Sequence, residues 1–511
     1  MLLKNGNTFY LHYGGKKGLE VIVFGKNKKV TAKRTIESAN WTSGKKKRLQ
    51  IAACFEINGE PVIFAKDFSS GAPTLYRMRL NPTTGMLVKD EKLGNVKRKA
   101  HLRYTEQLGE AQNIFVEKDA GSGNYAVIYF NKINRDRDER ISVMHFGENH
   151  QVISNATYEC PDPDFKIINY IGALVDGGKR VYISTYGSES RKGANAHVFI
   201  ARLNAGDSAF LNKALDFTED FRETYSDMAF DHSSNTILML TNTNAGSSKG
   251  FLSDKTKTHY ASFLSSVDPE TLELKSVKQV TSELVNRYAH TALGLDDYYY
   301  SGLPQRLILN ADNSVAVLME QMTTIVMRHS RHGETNGQVV GVMTNLGNVG
   351  ISELKPDGSE KSGYLIAKNQ YCIGRVNAFY MAGRDKGAWE NNYFARNNAS
   401  DNSFMSYSYL HGNKASYVLF NDDPKNKNKD ESQTRRKKTL STDFVNTICY
   451  TIKDGTAKKS YLFGEPESKK GSRACYIEGA DYDAATNTYT TVVSEQHGHK
   501  YDSRIAWIHF E

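Results

Sequence analysis

Residues 171–207 read IGALVDGGKRVYISTYGSESRKGANAHVFIARLNAGD, and the fold prediction depends on the unit that this stretch contains. One apolar run ends in the turn residues Asp176–Gly178, and a second begins at Val181. A polar segment leads to a third run, which ends in the turn Asn204–Asp207. Short apolar runs separated by Gly, Asp and Asn are typical of β-strands joined by turns. We label the strands A to D, with D following the second turn.

Both turns recur along the chain. The A–B turn occurs at Asn58–Glu60, Gly121–Asn124, Asp176–Gly178, Asp231–Asn235, Asp312–Asn313, Gly412–Asn413 and Asp483–Asn487. The C–D turn occurs at Asn81–Gly85, Asn204–Asp207, Asp268–Thr271, Lys355–Gly358 and Lys453–Gly455, with a weaker candidate at Gly147–Asn149. Repeated units of four strands are typical of propeller blades. We therefore predict an all-β protein, a β-propeller of about seven blades. Eight blades are the alternative count, and an array of two-sheet sandwiches is the alternative architecture.

The two ends of the chain predict how the propeller closes. The last unit ends in a C-like strand, Arg504–Phe510, without a D strand. Three strands stand near the start, at Thr8–Tyr13, Leu19–Phe24 and Val30–Ile36. Pairing of an N-terminal strand with the C-terminal one would remove a sheet edge. We expect one propeller domain over residues 1–511, with closing strands at 1–36, blades over 37–503 and the closing strand at 504–511. Since closure needs fewer than three N-terminal strands, an eighth, partial blade stays open.

Composition narrows the class of protein. The chain has 511 residues, 39% of them hydrophobic and 11% aromatic, which suits a large packed core. Its net charge of +9 favours acidic partners weakly. No apolar run approaches the roughly 18 residues of a spanning helix, so no membrane-spanning segment is predicted. Helical periodicity is nearly absent, with Thr105–Val116 the one ambiguous stretch. The five cysteines are odd in number and lack zinc spacing, which favours buried apolar roles.

The connections differ in length between the two predicted faces. Strands of a blade alternate in direction, so A–B and C–D turns share one face and B–C and D–A connections share the other. The long B–C connections are Asn131–Glu139, Gly187–Ala196, Asn244–His259, Gln321–Val340 and Asp423–Asp443. Long D–A connections include Gly94–Glu110, Thr281–Pro304 and Ala367–Ser403. Because long loops on a rigid scaffold carry function, we predict that the long-loop face binds the partner.

Basic residues cluster in these connections. The three clusters are Lys45-Lys46-Lys47-Arg48, Lys97-Arg98-Lys99 and Arg435-Arg436-Lys437-Lys438. They predict a positive rim that attracts a protein or an acidic glycan, and ordinary solvated loops are the alternative interpretation. Aromatic residues are not interleaved with them, so nucleic acid is not a predicted partner.

Two further groups on the long-loop face are candidates for binding. Tyr298-Tyr299-Tyr300 is either a platform for carbohydrate stacking or a packed loop anchor. The second group comprises Arg328, His329, Arg331, His332, His497 and His499. Each histidine pair supplies at most two of the three or four ligands that a metal needs. The sequence therefore predicts no metal site and no cofactor.

Catalytic patterns are weak. Gly246–Gly250 matches Gly-x-Ser-x-Gly by letter, but lies in a polar segment without the strand-to-helix turn of a nucleophile elbow. Neither His-Glu-x-x-His nor a phosphate-binding loop is present. Carboxylate pairs of a glycosidase cannot be assigned from spacing alone. A non-catalytic binding or interaction module is therefore the favoured function. The alternative is a propeller enzyme, a glycan hydrolase or lyase acting at the channel mouth.

Part of the chain resembles a known group of proteins. LILNADNSVAVLMEQ at 307–321, GISELKPDGSE at 350–360, IAKNQ at 366–370 and residues 407–422 resemble uncharacterised propeller-like exported proteins of Bacteroidetes-type bacteria. The resemblance covers residues 303–462, departs at Met322-Thr323, where those proteins carry an aromatic pair, and implies no activity. It implies a location in the periplasm, at the cell surface or outside the cell, and leaves room for association with an outer-membrane complex. Residues 1–10 contain no apolar signal core, so we expect a signal peptide outside this sequence, with the cytoplasm as the alternative.

Overall fold

The structure, a computed structural model, describes most of the chain. The described residues are 1–13, 18–38, 40, 49–67, 73–96, 112–131, 137–190, 195–215, 224–244, 260–310, 312–329, 338–355, 358–373, 376, 380–381, 406–427, 429, 439, 444–465, 471–497 and 500–510. These residues form two compact units, 1–279 and 280–510. Antiparallel sheets, formed by strands that follow one another in sequence, make up each unit.

The first unit contains a three-stranded sheet and four sheets of four strands. The first sheet is β1 (Thr8–Tyr13), β2 (Leu19–Phe24) and β3 (Val30–Ile36). The second is β4 (Leu49–Ile57), β5 (Glu60–Asp67), β6 (Thr74–Leu80) and β7 (Leu87–Asn95). The third is β8 (Gln112–Lys118), β9 (Tyr125–Asn131), β10 (Ile141–Phe146) and β11 (Val152–Thr157), with a 3-10 helix at Arg137–Glu139. The fourth is β12 (Ile167–Asp176), β13 (Arg180–Ser188), β14 (His197–Asn204) and β15 (Leu211–Leu215), and the fifth is β16 (Thr224–Asp231), β17 (Thr236–Asn244), β18 (Tyr260–Val267) and β19 (Leu274–Gln279).

The second unit contains three sheets and one α-helix. The helix, α1 (Glu283–Leu293), precedes β20 (Leu303–Leu309), β21 (Val315–His329), β22 (Gln338–Leu354), β23 (Glu360–Ile366) and β24 (Gln370–Ile373), which share one sheet. The next sheet is β25 (Tyr407–His411), β26 (Ser416–Asp422), β27 (Asn446–Lys453) and β28 (Thr456–Tyr461), with a 3-10 helix at Pro424–Asn426. The last is β29 (Gly471–Cys475), β30 (Asp481–Asp483), β31 (Thr488–His497) and β32 (Lys500–His509).

The prediction of an all-β propeller is confirmed. The described residues form eight successive antiparallel sheets, and the six between the first and the last follow the A–B–C–D pattern of blades. In the last sheet β29 and β30 both pair with β31, and β32 follows as the C strand without a D strand among the described residues. The eighth is the partial three-stranded sheet at the N-terminus, so eight is the correct count and seven was too low. Every predicted A–B and C–D turn lies between two paired strands. At the first of them Asn58 and Gly59 have φ of 48° and 76°, the left-handed values of a tight hairpin turn.

The predicted closure is wrong in its pairing. β3 pairs with β2 along its length, and β32 pairs with β31. The reason lies in the N-terminal sequence, because β1 to β3 form a sheet with a buried face of its own. Leu19, Val21 and Val23 pack there against Ile63 and Met78. Three strands with their own core have no need of a C-terminal strand to bury their apolar side chains.

A helix appears where the sequence predicted only a connection. α1 spans Glu283–Leu293 within the predicted connection Thr281–Pro304, and Gly294 ends it in the left-handed conformation with φ of 65°. Val285 and Ala289, four residues apart, are its buried residues. This spacing is the helical signal that the strand pattern obscured. The ambiguous stretch Thr105–Val116 begins outside the described residues, and its last five residues belong to β8.

The predicted loop Gln321–Val340 is also wrong. β21 continues to His329 and β22 begins at Gln338, so most of this segment is a long hairpin. In this hairpin, strand pairing extends from Met322 opposite Leu346 to His329 opposite Gln338. The segment is rich in Thr, Ile, Val and Met, which favour extended backbone. Ile325 is exposed, so backbone pairing rather than burial supports this outer part of the hairpin.

The core lies in layers between neighbouring sheets. One layer joins the sheets of β8–β11 and β12–β15, and another joins those of β12–β15 and β16–β19. Of the five cysteines, Cys54 is half-buried and the others are buried, as predicted. Burial raises the pKa of the Cys449 and Cys475 thiols to about 12. Within the described ranges, no helix has both the length and the apolar character that crossing a bilayer requires.

Candidate functional site

In the seven sheets after the first, the second strand carries buried polar residues after its apolar run. In β5, Val62 to Ala65 are fully buried and apolar, and Lys66 and Asp67 follow them, also buried. We call these buried polar residues the polar strand ends. They are Lys66 and Asp67 in β5, Asn131 in β9, Ser184 and Thr185 in β13, Thr241, Asn242 and Thr243 in β17, Glu320 in β21, Asn421 and Asp422 in β26 and Gln496 in β31.

In six of the seven sheets the polar strand ends lead into B–C connections, whereas Glu320 lies within β21, which continues to His329. A buried polar group destabilises the fold unless it is hydrogen-bonded, so such groups are retained where they have partners. In both units, therefore, the polar groups of the sheets are concentrated beside the connections that the sequence marked as functional. The candidate functional residues of each unit, taken by itself, are therefore its polar strand ends.

Glu320 carries the charged part of the site in the second unit. Its carboxylate and the Lys368 ammonium form an ion pair of 2.6 Å, and both side chains are fully buried. Tyr380 Oη donates to one carboxylate oxygen at 2.7 Å, and Ser406 Oγ donates to the other at 3.2 Å. Gln305 Nε2 donates to the carboxylate at 3.3 Å. Four donors from four segments of the chain thus surround one anion.

Burial sets the protonation behaviour of this cluster. The apolar surroundings lower the pKa of the Lys368 amine, and the charge of Glu320 opposes that shift. Burial raises the pKa of Tyr380 well above its usual range, and the adjacent Glu320 charge adds to the effect. The phenol therefore keeps its proton and donates a hydrogen bond to the carboxylate.

A neutral network extends from the ion pair to the next two sheets. Lys368 Nζ also donates to Leu346 O at 2.9 Å. Gln370 accepts from Ser406 N at 3.0 Å and donates to Asn421 O at 2.8 Å. Asn421 Nδ2 donates to Cys475 O at 2.8 Å. These bonds tie β24, β26 and β29 together.

The chemistry available to this cluster is restricted by burial. Carboxylate, amine and phenol are groups that transfer protons in enzymes. Here Glu320 and Lys368 have no exposed surface, and Tyr380 is 2% exposed. Lys368 and Tyr380 are both bonded to Glu320, which makes the cluster an anchor for the chain around it.

The structure places the predicted tyrosines on one connection but gives them different roles. Tyr300 is 1% exposed, and its hydroxyl donates to Asn348 O at 3.3 Å. Tyr298 donates to Gln321 Oε1 at 3.0 Å and accepts from Asn348 Nδ2 at 2.9 Å. Tyr299 is 78% exposed. Tyr298 and Tyr300 thus anchor the connection, and Tyr299 is the member that solvent reaches.

Most other predicted binding residues lie outside the described residues. This is so for Lys45–Arg48, Lys97–Lys99, Arg331, His332, Arg435–Lys438 and His499. Arg328 and His329 belong by their backbone to β21, and His497 belongs to β31. Among the described residues, no three His, Cys, Asp or Glu side chains converge as metal ligands would. The binding role of these residues stays a prediction.

Sequence reasoning missed Glu320, Lys368 and Tyr380 as a group. A signal for the first two existed. Glu320 follows Val315-Ala316-Val317-Leu318-Met319, and Lys368 follows Tyr364-Leu365-Ile366-Ala367. A charged residue at the end of a fully apolar strand predicts a buried partner, because an isolated charge is not stable there. Nothing in the sequence pairs these two residues with each other or with Tyr380.

Comparison with known proteins gives distant structural likenesses. No protein-family model matches the chain, and no curated protein matches it. A solved ulvan lyase of polysaccharide lyase family 25 is 9% identical, with a TM-score of 0.41, over 89% of this chain and 90% of that one. An uncharacterized protein of Listeria monocytogenes is 9% identical, with a TM-score of 0.36, over 90% and 94%. Drosophila plexin A, solved with semaphorin 1b, is 11% identical, with a TM-score of 0.30, over 72% and 79%. At such scores the likenesses identify neither a family nor an activity for this chain.

Proposed function

We propose that the protein is a non-catalytic binding module whose long-loop face binds a protein or an acidic glycan. The observation that carries the proposal is the set of polar strand ends, which gathers hydrogen-bonding groups beside the B–C connections. Binding residues are commonly located on long loops that a rigid sheet positions. Here the buried polar residues lie near the strand ends from which such loops begin.

Charge indicates the chemistry of the partner. The net charge is +9, and the three basic clusters fall in B–C and D–A connections. A positive field raises the encounter rate with an acidic ligand. The proposed partner is therefore an acidic protein surface or a glycan with sulfate or uronic-acid groups. Export to the periplasm, the cell surface or the medium, the location implied by the resemblance of residues 303–462, would bring the protein into contact with such glycans.

Charge reversal tests the proposal. Binding of the full chain to sulfated and uronic-acid glycans is measured at low and moderate salt, with Lys45–Arg48, Lys97–Lys99 and Arg435–Lys438 changed to Glu. We expect salt-sensitive binding in the parent and its loss in the variant, since screening acts over about 8 Å at 0.15 M salt. The matched control reverses Lys26, Lys28 and Lys29, which are exposed in the β2–β3 turn. Equal affinity of parent and cluster variant would show that these loops are ordinary surface.

The second candidate function is a propeller enzyme that hydrolyses glycans or cleaves them by elimination, for which the buried Glu320 cluster contains side chains of a suitable type. Its carboxylate, amine and phenol are the side chains such chemistry employs. Incubation of the parent with the same glycans, read by new reducing ends and by absorbance of unsaturated products, tests it. Turnover by the parent that is lost in a folded Tyr380→Phe variant would favour the enzyme over the binding module.

A further inference from the structure

The last sheet of the second unit ends in a third strand with an open edge. In each of the six sheets between the first and the last, a fourth strand pairs with the third. β32 pairs with β31 and with no other strand among the described residues. In the part of the chain that the structure describes, the outer edge of β32 therefore has no strand beside it.

Solvent exposure of β32 agrees with an open edge. Third strands that have a fourth strand beside them are mostly buried, as β6 and β27 are. In β32 the residues from Lys500 to Arg504 are exposed, and those from Ile505 to Ile508 are half-buried. A strand edge that solvent reaches is a template on which another strand can pair.

β32 lacks the features that usually keep such an edge from pairing. Its sequence, KYDSRIAWIH, contains no proline, and its pairing with β31 continues through ten residues without a bulge. Its charged residues, Lys500, Asp502 and Arg504, alternate with uncharged ones and carry both signs of charge. The edge therefore attracts a strand of complementary charge instead of repelling every strand.

Asp502 is the residue of this edge that needs a partner. It lies directly opposite Glu495 in the pairing of β31 and β32. Glu495 takes both nearby arginines, Arg504 at 2.6 Å and Arg473 at 3.3 Å. Asp502 has no ion-pair partner among the described residues. Because like charges opposite each other destabilise a sheet, a cation supplied along the open edge would stabilise this strand.

We propose that β32 is a dimer interface, where it pairs antiparallel with β32 of a second copy of this chain. In such a twofold pair every contact occurs twice, with residue i against residue j and j against i. Opposed residues of an antiparallel pair lie on the same face of the sheet, so the twofold axis passes through a residue of the strand. The geometry and the charges assign this axis to Ser503.

Pairing about Ser503 makes the edge complementary to itself. Asp502 then lies opposite Arg504 of the second copy, and the reverse contact repeats this pair. Tyr501 lies opposite Ile505, which is an aromatic and β-branched pair, and the two copies of Ser503 face each other. Pairs of these kinds stabilise neighbouring strands. An axis at Asp502 or at Arg504 would instead set like charges opposite each other.

The interface is small and independent of the proposed binding function. The paired segment runs from Lys500 to Ala506, and an interface of this size gives weak association that depends on concentration. None of the three basic clusters takes part in it. Failure of the charge-reversal test on those clusters would therefore leave the dimer interface unaffected.

Exchange of charges along β32 tests the interface. Sedimentation velocity of the full chain from about 1 to 300 μM measures association of the parent and its variants. The parent is expected to dimerise. Asp502→Arg alone and Arg504→Asp alone are each expected to weaken dimerisation about tenfold or more, because like charges then face each other twice. The double variant restores both pairs and is expected to dimerise as the parent does.

Asp164→Arg is the matched control, since it makes the same exchange at an exposed residue between β11 and β12. It is expected to associate as the parent does. Thermal unfolding of every variant checks that the fold is retained. Hydrogen exchange is the second measurement, and the amides of β32 are expected to exchange more slowly as the protein concentration rises.

The outcomes separate the proposed pairing from its alternatives. A parent that stays monomeric at the highest concentration overturns the interface. Dimerisation that neither single variant changes overturns it as well, because the contact then lies elsewhere. Loss in the single variants without recovery in the folded double variant overturns the pairing about Ser503. Loss in both single variants and recovery in the double variant support it.

Discussion

Tyr380 and Ser406 donate hydrogen bonds to the two different oxygens of one carboxylate, that of Glu320, at 2.7 and 3.2 Å. They are far apart in sequence, yet both end at the same ion-paired side chain. Glu320 belongs to β21, the second strand of its sheet, and Ser406 directly precedes β25 of the next. One buried anion therefore fixes the chain between two blades.

The Glu320–Lys368 pair predicts a large asymmetry between single and double variants. Lys368→Met leaves a buried carboxylate without its ammonium and is expected to lower the free energy of unfolding by about 3–5 kcal/mol. Adding Glu320→Gln removes the uncompensated charge and is expected to recover part of that loss. Urea unfolding of the full chain, followed by circular dichroism, measures both. Lys213→Met, which breaks the exposed Lys213–Glu273 pair, is the control, with an expected loss under about 1 kcal/mol. Equal losses for Lys368→Met and Lys213→Met would contradict the account.

The Tyr380 hydroxyl predicts a smaller effect of the same kind. Tyr380→Phe removes one donor from the Glu320 carboxylate and keeps the ring in place. We expect a loss of about 1–3 kcal/mol, because the bond is buried and its acceptor is charged. Tyr299→Phe changes an exposed hydroxyl and is expected to stay within about 0.5 kcal/mol of the parent. Thermal unfolding of the two variants, measured side by side, tests this expectation. A Tyr380→Phe protein as stable as Tyr299→Phe would show that the Tyr380 hydroxyl does not stabilise the fold.

His150 predicts how stability of the first unit depends on pH. Burial, then the nearby Arg77 and Arg79 charges, lower the pKa of His150 to about 4. The unfolded chain binds this proton near pH 6.5, so protonation favours the unfolded state between the two values. The contribution of His150 to the free energy of unfolding is fully present above pH 6.5. It is lost as pH falls toward 4, by up to about 1.4 kcal/mol for each pH unit.

His150→Asn is the matched variant for this test. Asn tolerates the left-handed conformation of this position, where φ is 66°, and it does not titrate. Buried His145 also has a lowered pKa, so both proteins are expected to lose stability in acid. The parent should lose more between pH 6.5 and 4. Parallel slopes of parent and variant in a series of urea midpoints would refute a role for His150.

Gly363 predicts a steric requirement for the contact between β23 and α1. A Cβ at this position would lie 2.3 Å from Val285 N and 2.4 Å from Leu284 C, both backbone atoms of the helix. Gly363→Ala is therefore expected to cost about 1–3 kcal/mol, as overpacking does. Gly479→Ala, where nothing lies within 4 Å of the added Cβ, is expected to be neutral. A stable Gly363→Ala protein in thermal unfolding would show that α1 can move away from the sheet.

By itself the sequence determined the strands, the turns and the class of fold. Turn residues such as Asn58-Gly59 and the apolar runs beside them act over a few residues, so local chemistry is enough to place them. The same local rule reads a charged residue after an apolar run, such as Lys66 in β5 or Glu320 in β21, as the end of a strand. It therefore shortened the hairpin of β21 and β22, and the strong strand pattern hid α1.

Only the tertiary structure decided which polar residues meet. Glu320, Lys368, Tyr380 and Ser406 come from four segments, and no spacing in the sequence relates them. Ser184 and Ser226 likewise meet because of the close approach that Gly172 permits. Pairing across sheets depends on which face a side chain takes and which sheet packs there, and both are properties of the assembled fold. The strands are therefore specified by local sequence, whereas the candidate sites depend on the tertiary structure.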